Sequence, residues 1–358
     1  MAVLPQAKRL LSLNTLLIFV LVAVILRLAG GGDVAVFATS ALAIIPLAGL
    51  IGQATEEIAA RTSPQIGGLL NATLGNAAEL IITVLALREG LIELVRASII
   101  GSVLGNLLLV LGLAILLGGL KNGLQHFDRQ QATTNATLLI LAFMALAMPS
   151  LFDATFTQNE KFKSALLLSE GIALILILLY AANVVYALTS RRHTGAMPGP
   201  GHAPEWRLRT AVGVLAASTL GIVVMSEFLV KTVEPVVSQL GWSELFVGVI
   251  IVPIIGNAAE HLVAVQMALK NRMELAMTIA LGSSLQVALF VAPVLVFISL
   301  LFARKLTLAF TLPEIIALAA ASYVAALATE DGESNWYEGA MLLGVYLIVA
   351  LAFFLLPR

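Results

Sequence analysis

Glu79 and Glu260 each close the same five-residue block, Gly-Asn-Ala-Ala-Glu, at 75–79 and 256–260. Seventeen uncharged residues precede Glu79 and eight follow it; for Glu260 the numbers are fifteen and nine. Helical runs of that length reach across the apolar layer of a bilayer, so both carboxyls fall at hydrocarbon depth. An ionised carboxylate there costs at least about 2.5–3.5 kcal/mol. A chain tolerates the cost if the group is protonated or meets a cation. A group that alternates between those two conditions couples a proton to a metal.

The residues around the two glutamates suit a hard cation. Gly-Asn is a poor helix sequence, and unwinding there frees backbone carbonyls around Ala72–Gly75 and Pro253–Gly256. Irregular backbone at that depth is acceptable only around a protein-lined or watery cavity. Carbonyls and two carboxylates make an all-oxygen site, and calcium takes about six to eight oxygens. The following segments bring Gly101-Ser102 with Asn106 and Gly282-Ser283 with Gln286, hydroxyls and amides able to hold a carboxylate or water. Plainer readings stand beside these. A membrane glutamate can be a structural hydrogen-bonder, Ser102 and Ser283 can be close-packing residues, and Asn76 and Asn257 can simply tie off broken backbone. His261 is either a packed histidine or a proton carrier. Glu56 and Glu227 sit near helix ends, solvated or lining an access path. Glu314 reads as interfacial and Glu330, Asp331 and Glu333 as a loop.

The elements that must carry these groups are membrane helices. The 358 residues are 60% hydrophobic and 11% charged, against about 25% charged in soluble domains. Eleven long apolar stretches follow: Leu10–Leu26, Val34–Thr55, Thr62–Ala78 extended to Leu87, Ala97–Leu120, Gln130–Phe152, Gly171–Ser190, Thr210–Ser226, Leu245–Ala259 extended to Leu269, Leu275–Ala303, Ile315–Thr329 extended back to Thr307, and Gly339–Pro357. The fold class expected is an all-α polytopic membrane protein. Net charge of −1 argues against nucleic acid. The absence of cysteine excludes disulfides and thiolate metal sites. Of the four histidines only His261 lies in a span, which disfavours a membrane-embedded enzyme. No cofactor is expected. Lys and Arg number eleven on one set of loops and nine on the other. That bias, with the basic loop between spans six and seven, puts the N-terminus in the cytosol and the C-terminus outside.

The repeated block carries its context with it. At a fixed offset of 181, eleven of thirty residues over 75–104 are identical to 256–285, including Gly101-Ser102 and Gly282-Ser283. The two copies lie five spans apart, an odd number, so their helices run in opposite directions. The organisation expected is a first helix (1–33), a first repeat (34–190), a Pro/Gly-rich connector (191–209) and an inverted second repeat (210–358). Thr55-Glu56 and Ser226-Glu227 are weaker echoes of the same relation. Inverted repeats about a midplane site characterise secondary transporters.

Leu70-Asn71-Ala72-Thr73-Leu74 ahead of the first block, Gly101 to Gly112, Gly256 to His261, Gly282 to Gln286 and Asp331-Gly332-Glu333-Ser334-Asn335-Trp336 together resemble the Ca²⁺/H⁺ antiporters of the cation/proton exchanger (CAX) family. The resemblance spans essentially the whole chain. It implies eleven transmembrane helices, one plus two inverted sets of five, with Glu79 and Glu260 as metal ligands shared by Ca²⁺ and protons. It carries Asn76, Asn257, Ser102, Ser283 and Gln286 over as site-lining residues. The connector departs from relatives that carry an acidic segment there: it is basic, with Glu205 its only acid. The function expected is Ca²⁺ export from the cytosol by alternating access, with H⁺ as counter-ion, in a prokaryotic plasma membrane. A Na⁺-driven or other-divalent exchanger, or a cation channel, are the alternatives.

Overall fold

A chain with so little charge must satisfy its backbone internally, and a helix does so within one segment. The computed structural model describes residues 15–63, 66, 67, 70, 73–153, 161–189 and 204–356. Residues 1–14 of the expected first helix, Asn71 and Ala72 of the first motif, Ser190 and 191–203 of the connector lie outside them. The helices are α1 (Thr15–Leu28), α2 (Asp33–Ala59), α3 (Ala77–Glu89), α4 (Ile92–Asn122), α5 (Arg129–Asp153), α6 (Lys161–Thr189), α7 (Leu208–Leu240), α8 (Glu244–Gly256), α9 (Ala258–Leu269), α10 (Met273–Ser299), α11 (Leu312–Leu327) and α12 (Trp336–Leu355).

Among the described residues, seven helices are long and apolar enough to cross a membrane, and α8 with α9 adds an eighth span bent by 63°. The difference from eleven falls on α1, α3 and α11. Helix α3 starts late because the backbone breaks at Gly75-Asn76. Helix α11 begins at Leu312, not Thr307. Its start is set by a capping box in which Glu314 accepts from the N–H and hydroxyl of Thr311, each at 2.7 Å. Glu314, expected at the interface, is therefore buried as a cap.

The residues before that cap, 305–311, form an extended strap. Leu306, Thr307, Leu308 and Phe310 are all buried along it. Its backbone is satisfied by side chains: Ser299 accepts from Leu306 N–H, Ser169 from Leu308 N–H and Ser150 from Phe310 N–H, while Arg96 donates to the Thr307 carbonyl. A second departure from helix is a two-residue antiparallel pairing of β1 (Gln125–His126) with β2 (Glu333–Ser334), in the acidic loop ahead of α12.

Helices α4 and α10 are the most enclosed, with 83% and 67% of their apolar windows buried, so they form the centre. Helix α4 begins just after α3 ends. At its far end Lys121 and Asn122 donate to the carbonyls of Leu269 and Ala268, the end of α9, at 2.9 and 3.0 Å. With 31 residues, α4 is about 46 Å long at about 1.5 Å per residue. The C-termini of α3 and α9 therefore lie at opposite ends of the molecule.

Candidate cation-binding site

The two glutamates sit one turn past paired backbone breaks. Asn76 (φ −92°, ψ 15°) and Asn257 (φ −104°, ψ 6°) interrupt the helix at the same place in each block and precede α3 and α9. The break frees less backbone than expected in the second block, where the Pro253 carbonyl accepts from the Asn257 N–H at 3.0 Å. What the break supplies is direction, turning the asparagine side chains inward.

Small residues bring the elements together. A Cβ on Gly101 would run into the Val249 backbone, and one on Gly248 would run into Ala97, so α4 and α8 pack nearly backbone to backbone. A Cβ on Gly256 would stand 3.0 Å from Glu79 Cγ. The glycine of the second block therefore makes room for the carboxylate of the first.

The polar groups interlock across the repeats. Glu79 Oε1 accepts from Asn257 Nδ2 at 2.7 Å and from the Ser102 hydroxyl. Asn76 Nδ2 donates to Gln286 Oε1 at 2.6 Å, and Asn106 Nδ2 to Ser283 Oγ at 3.0 Å. The Ser283 hydroxyl and the Glu79 carboxyl both lie near Glu260. Asn76, Glu79, Ser102, Asn106, Asn257 and Ser283 are all buried; Glu260 and His261 are half-buried.

Glu79 Oε2, Glu260 Oε2 and Asn76 Oδ1 are buried with no hydrogen-bond partner. All three are acceptors, and buried acceptors left unmatched cost about 1–3 kcal/mol each, more when charged. The arrangement asks for protons or a cation. Among the described residues no group of three or more His, Asp or Glu is placed to hold a metal ion. Beyond the two carboxylates, further ligands would have to be amide, hydroxyl, backbone or water oxygens, a set that suits a hard ion. His261 Nε2 is also buried without a partner, on the residue next to Glu260.

Glu56 and Glu227 lie away from this cluster. Glu227 is half-exposed on α7, pairing with Lys231 at 2.7 Å and with Arg88, at the end of α3, at 3.4 Å. Glu56 is exposed near the end of α2. Beside it is a residue the sequence reading passed over. Glu57 is buried and accepts from the backbone N–H groups of Glu205 and Trp206 at 3.1 and 3.0 Å, and Arg61 donates to Glu57 and to the Trp206 carbonyl. This clasp joins the end of α2 to the chain entering α7. The signal for it was the i,i+4 acid–base pair Glu57/Arg61.

The reading also passed over three π-helical turns: the repeat-related Gly105–Val110 in α4 and Val287–Val291 in α10, and Val247–Ile251 in α8. Such turns commonly mark functional sites. The first presents Asn106 to Ser283. Shifted by the repeat offset of 181, it falls on the second.

The sequence pattern of the sodium/calcium exchanger protein family matches residues 32–189 and 210–355. The Ca(2+)/H(+) antiporter ChaA of Bacillus subtilis (strain 168) is 48% identical over 326 residues, covering 89% of this chain and 92% of that protein. The Ca(2+)/H(+) antiporter of Aphanothece halophytica is 40% identical over 341 residues, 91% of each chain. Among solved structures, native YfkE superposes with a TM-score of 0.84 at 45% identity, over 96% of this chain and all of that one. The H+/Ca2+ exchanger CAX superposes at 0.75 over 97% of this chain and 92% of that one; at 17% identity this speaks for the fold alone.

Proposed function

The chain belongs to the sodium/calcium exchanger protein family, and from that premise we propose that it is a Ca²⁺/H⁺ antiporter exporting Ca²⁺ by alternating access. It is an integral membrane protein. We place it in a prokaryotic plasma membrane with its N-terminus in the cytosol, and take α1 to α12 as eleven crossings, one plus two inverted sets of five. The helix ends at opposite extremes of α4 support that inversion.

The observation that carries the mechanism is the pair of carboxylates with buried, unmatched oxygens, Glu79 being held by Asn257 of the other repeat and by Ser102 of its own. One Ca²⁺ or two protons neutralise the pair equally well, so the two cargoes are alternatives for one site. Asn257 and Ser102 hold Glu79 Oε1 and leave Oε2 for the cargo; Ser283, steadied by Asn106, lies near Glu260, whose Oε2 is also left free. Gln286 holds the Asn76 amide so that its oxygen faces the site. Cytosolic Ca²⁺ displaces the protons, the loaded site turns outward, and external protons release the metal. His261, beside Glu260, lies on the route a proton takes to that carboxylate.

The test is Ca²⁺ uptake into proteoliposomes under an imposed pH gradient, repeated with a Na⁺ gradient. Uptake driven by pH alone supports the reading. Uptake driven by Na⁺, or flux needing no counter-ion, overturns it.

A further inference from the structure

The repeat-related helices α3 and α9 are buried to very different degrees. Helix α3 buries Ala78, Glu79, Ile82, Thr83, Ala86 and Leu87; α9 buries only Ala264 and Ala268. Helix α7 also packs more extensively on α3 than α2 does on α9. An inverted repeat whose halves are conformationally unequal is in one of two mirror-related states. The site is shut at the α3 end of the molecule and approachable along α9.

At the shut end, the ion pair Arg88–Glu227 links the last turn of α3 to α7. Its counterpart at the other end follows from the repeat relation. Glu227 corresponds to Glu56 on α2 through the Thr55-Glu56 and Ser226-Glu227 echo, which runs at an offset of 171. Arg88, shifted by 181, falls on Leu269, the last residue of α9, and Lys270 is the next residue. The levels agree as well. Helix α2 meets α9 where Gly49 faces Ala259. Glu56 lies seven residues beyond Gly49 and Lys270 eleven beyond Ala259, about 10 and 16 Å toward the same face at about 1.5 Å per residue. A four-carbon lysine stem spans the difference. Lys270 is exposed here and, among the described residues, pairs with no carboxylate.

We propose that Lys270 and Glu56 form a latent gate pair that closes the α9 end when Arg88–Glu227 opens, so the two ion pairs exchange in each transport cycle. This rests on the alternating-access reading. In this state Glu56 keeps other company and gives it up when α2 closes on α9. The half-exposed Arg88–Glu227 pair is weak enough to break each cycle.

The chain has no cysteine, so pairs can be introduced cleanly. In full-length protein in proteoliposomes, E56C/K270C and R88C/E227C are treated with a bis-thiosulfonate about as long as the lost side chains. Linkage is scored by protection from a maleimide-polymer gel shift. Each pair should link, each link should cut Ca²⁺/H⁺ exchange at least tenfold, and reductant should restore it. In the four-cysteine protein, linking one pair should exclude the other. Free labelling of E56C/K270C without linkage, or both links in one molecule, overturns the proposal. The charge swap K270E/E56K should recover exchange lost in K270E alone, measured on protein that still gives a monodisperse, folded peak; no recovery counts against the pair. Linkage is read without transport. Exclusive links in a protein that exchanges other ions would therefore sink the Ca²⁺/H⁺ reading and spare the gate, while intact Ca²⁺/H⁺ exchange with coexisting links would do the reverse.

Discussion

Glu79→Gln separates the chemistry of the site from its architecture. Glu79 Oε1 accepts from Asn257 and Ser102, and a glutamine Oε1 in the same place keeps both bonds. Each changes from charge-assisted to neutral, from about 1.5–3 to about 0.5–1.5 kcal/mol. The variant no longer buries a charge, which offsets that loss, so folding stability should stay within about 1 kcal/mol of wild type. The cargo fares differently. The new amide NH₂ points where Oε2 stood, and the metal loses a full carboxylate ligand in a buried site. Removing one partner of a buried charge pair costs about 3–5 kcal/mol, which at about 1.4 kcal/mol per decade is a loss of roughly 10² to 10⁴ in Ca²⁺ affinity. The assay is Ca²⁺ titration calorimetry on purified protein beside pH-driven uptake in proteoliposomes, with a thermal melt as the folding control. Glu260→Gln should behave alike. Exchange within threefold of wild type in either variant would refute the shared-carboxylate mechanism, whereas a collapsed melt with normal exchange per folded molecule would make the residue structural.

Because protons and Ca²⁺ compete for one coupled pair of carboxylates, apparent Ca²⁺ affinity should fall as pH is lowered; a flat profile in binding titrations would exclude competition. Single cysteines at Ser63 and Ser238, both exposed, should react with an impermeant thiol reagent from opposite sides of the membrane, Ser63 from the cytosol; reaction from the same side would break the inverted arrangement. Gly101→Val pushes a side chain into the Val249 backbone and should cost at least the about 1–3 kcal/mol typical of overpacking, seen as a lowered melting temperature. Gly213→Ala on α7, with open space around it, should be neutral or slightly stabilising.

The parts of the molecule legible in the sequence share one property: their cause is local. The breaks at Asn76 and Asn257 follow from Gly-Asn in a helical run, and the depth of Glu79 and Glu260 from counting uncharged neighbours. Asn257 as a ligand to Glu79 was visible only as a member of the repeated block; that it serves the other repeat's carboxylate is a contact across 178 residues. Glu57 was hidden for the same reason, since its partners Glu205 and Trp206 lie nearly 150 positions away. The start of α11 was mislaid differently. Thr311-Leu-Pro-Glu314 is a capping box that could have been read, but the apolar Leu308 and Phe310 drew the span back across it to Thr307. The π turns leave no compositional mark at all.

The two repeat-related turns nonetheless record something about descent. A π turn holds one residue more than the α turn it replaces, so it enters a helix by a single-codon insertion. Had each half acquired its own insertion at its own position, the offset between the halves would slip by one between the two places. Instead 181 relates Gly101-Ser102 to Gly282-Ser283 before the turns and Leu108 and Val110 to Leu289 and Val291 within them. One insertion before the gene doubled explains this with fewer events than two matching ones afterwards. The distorted turn shared by α4 and α10 is then older than the doubling. On that account a single copy already carried its bulge before the second was added to it.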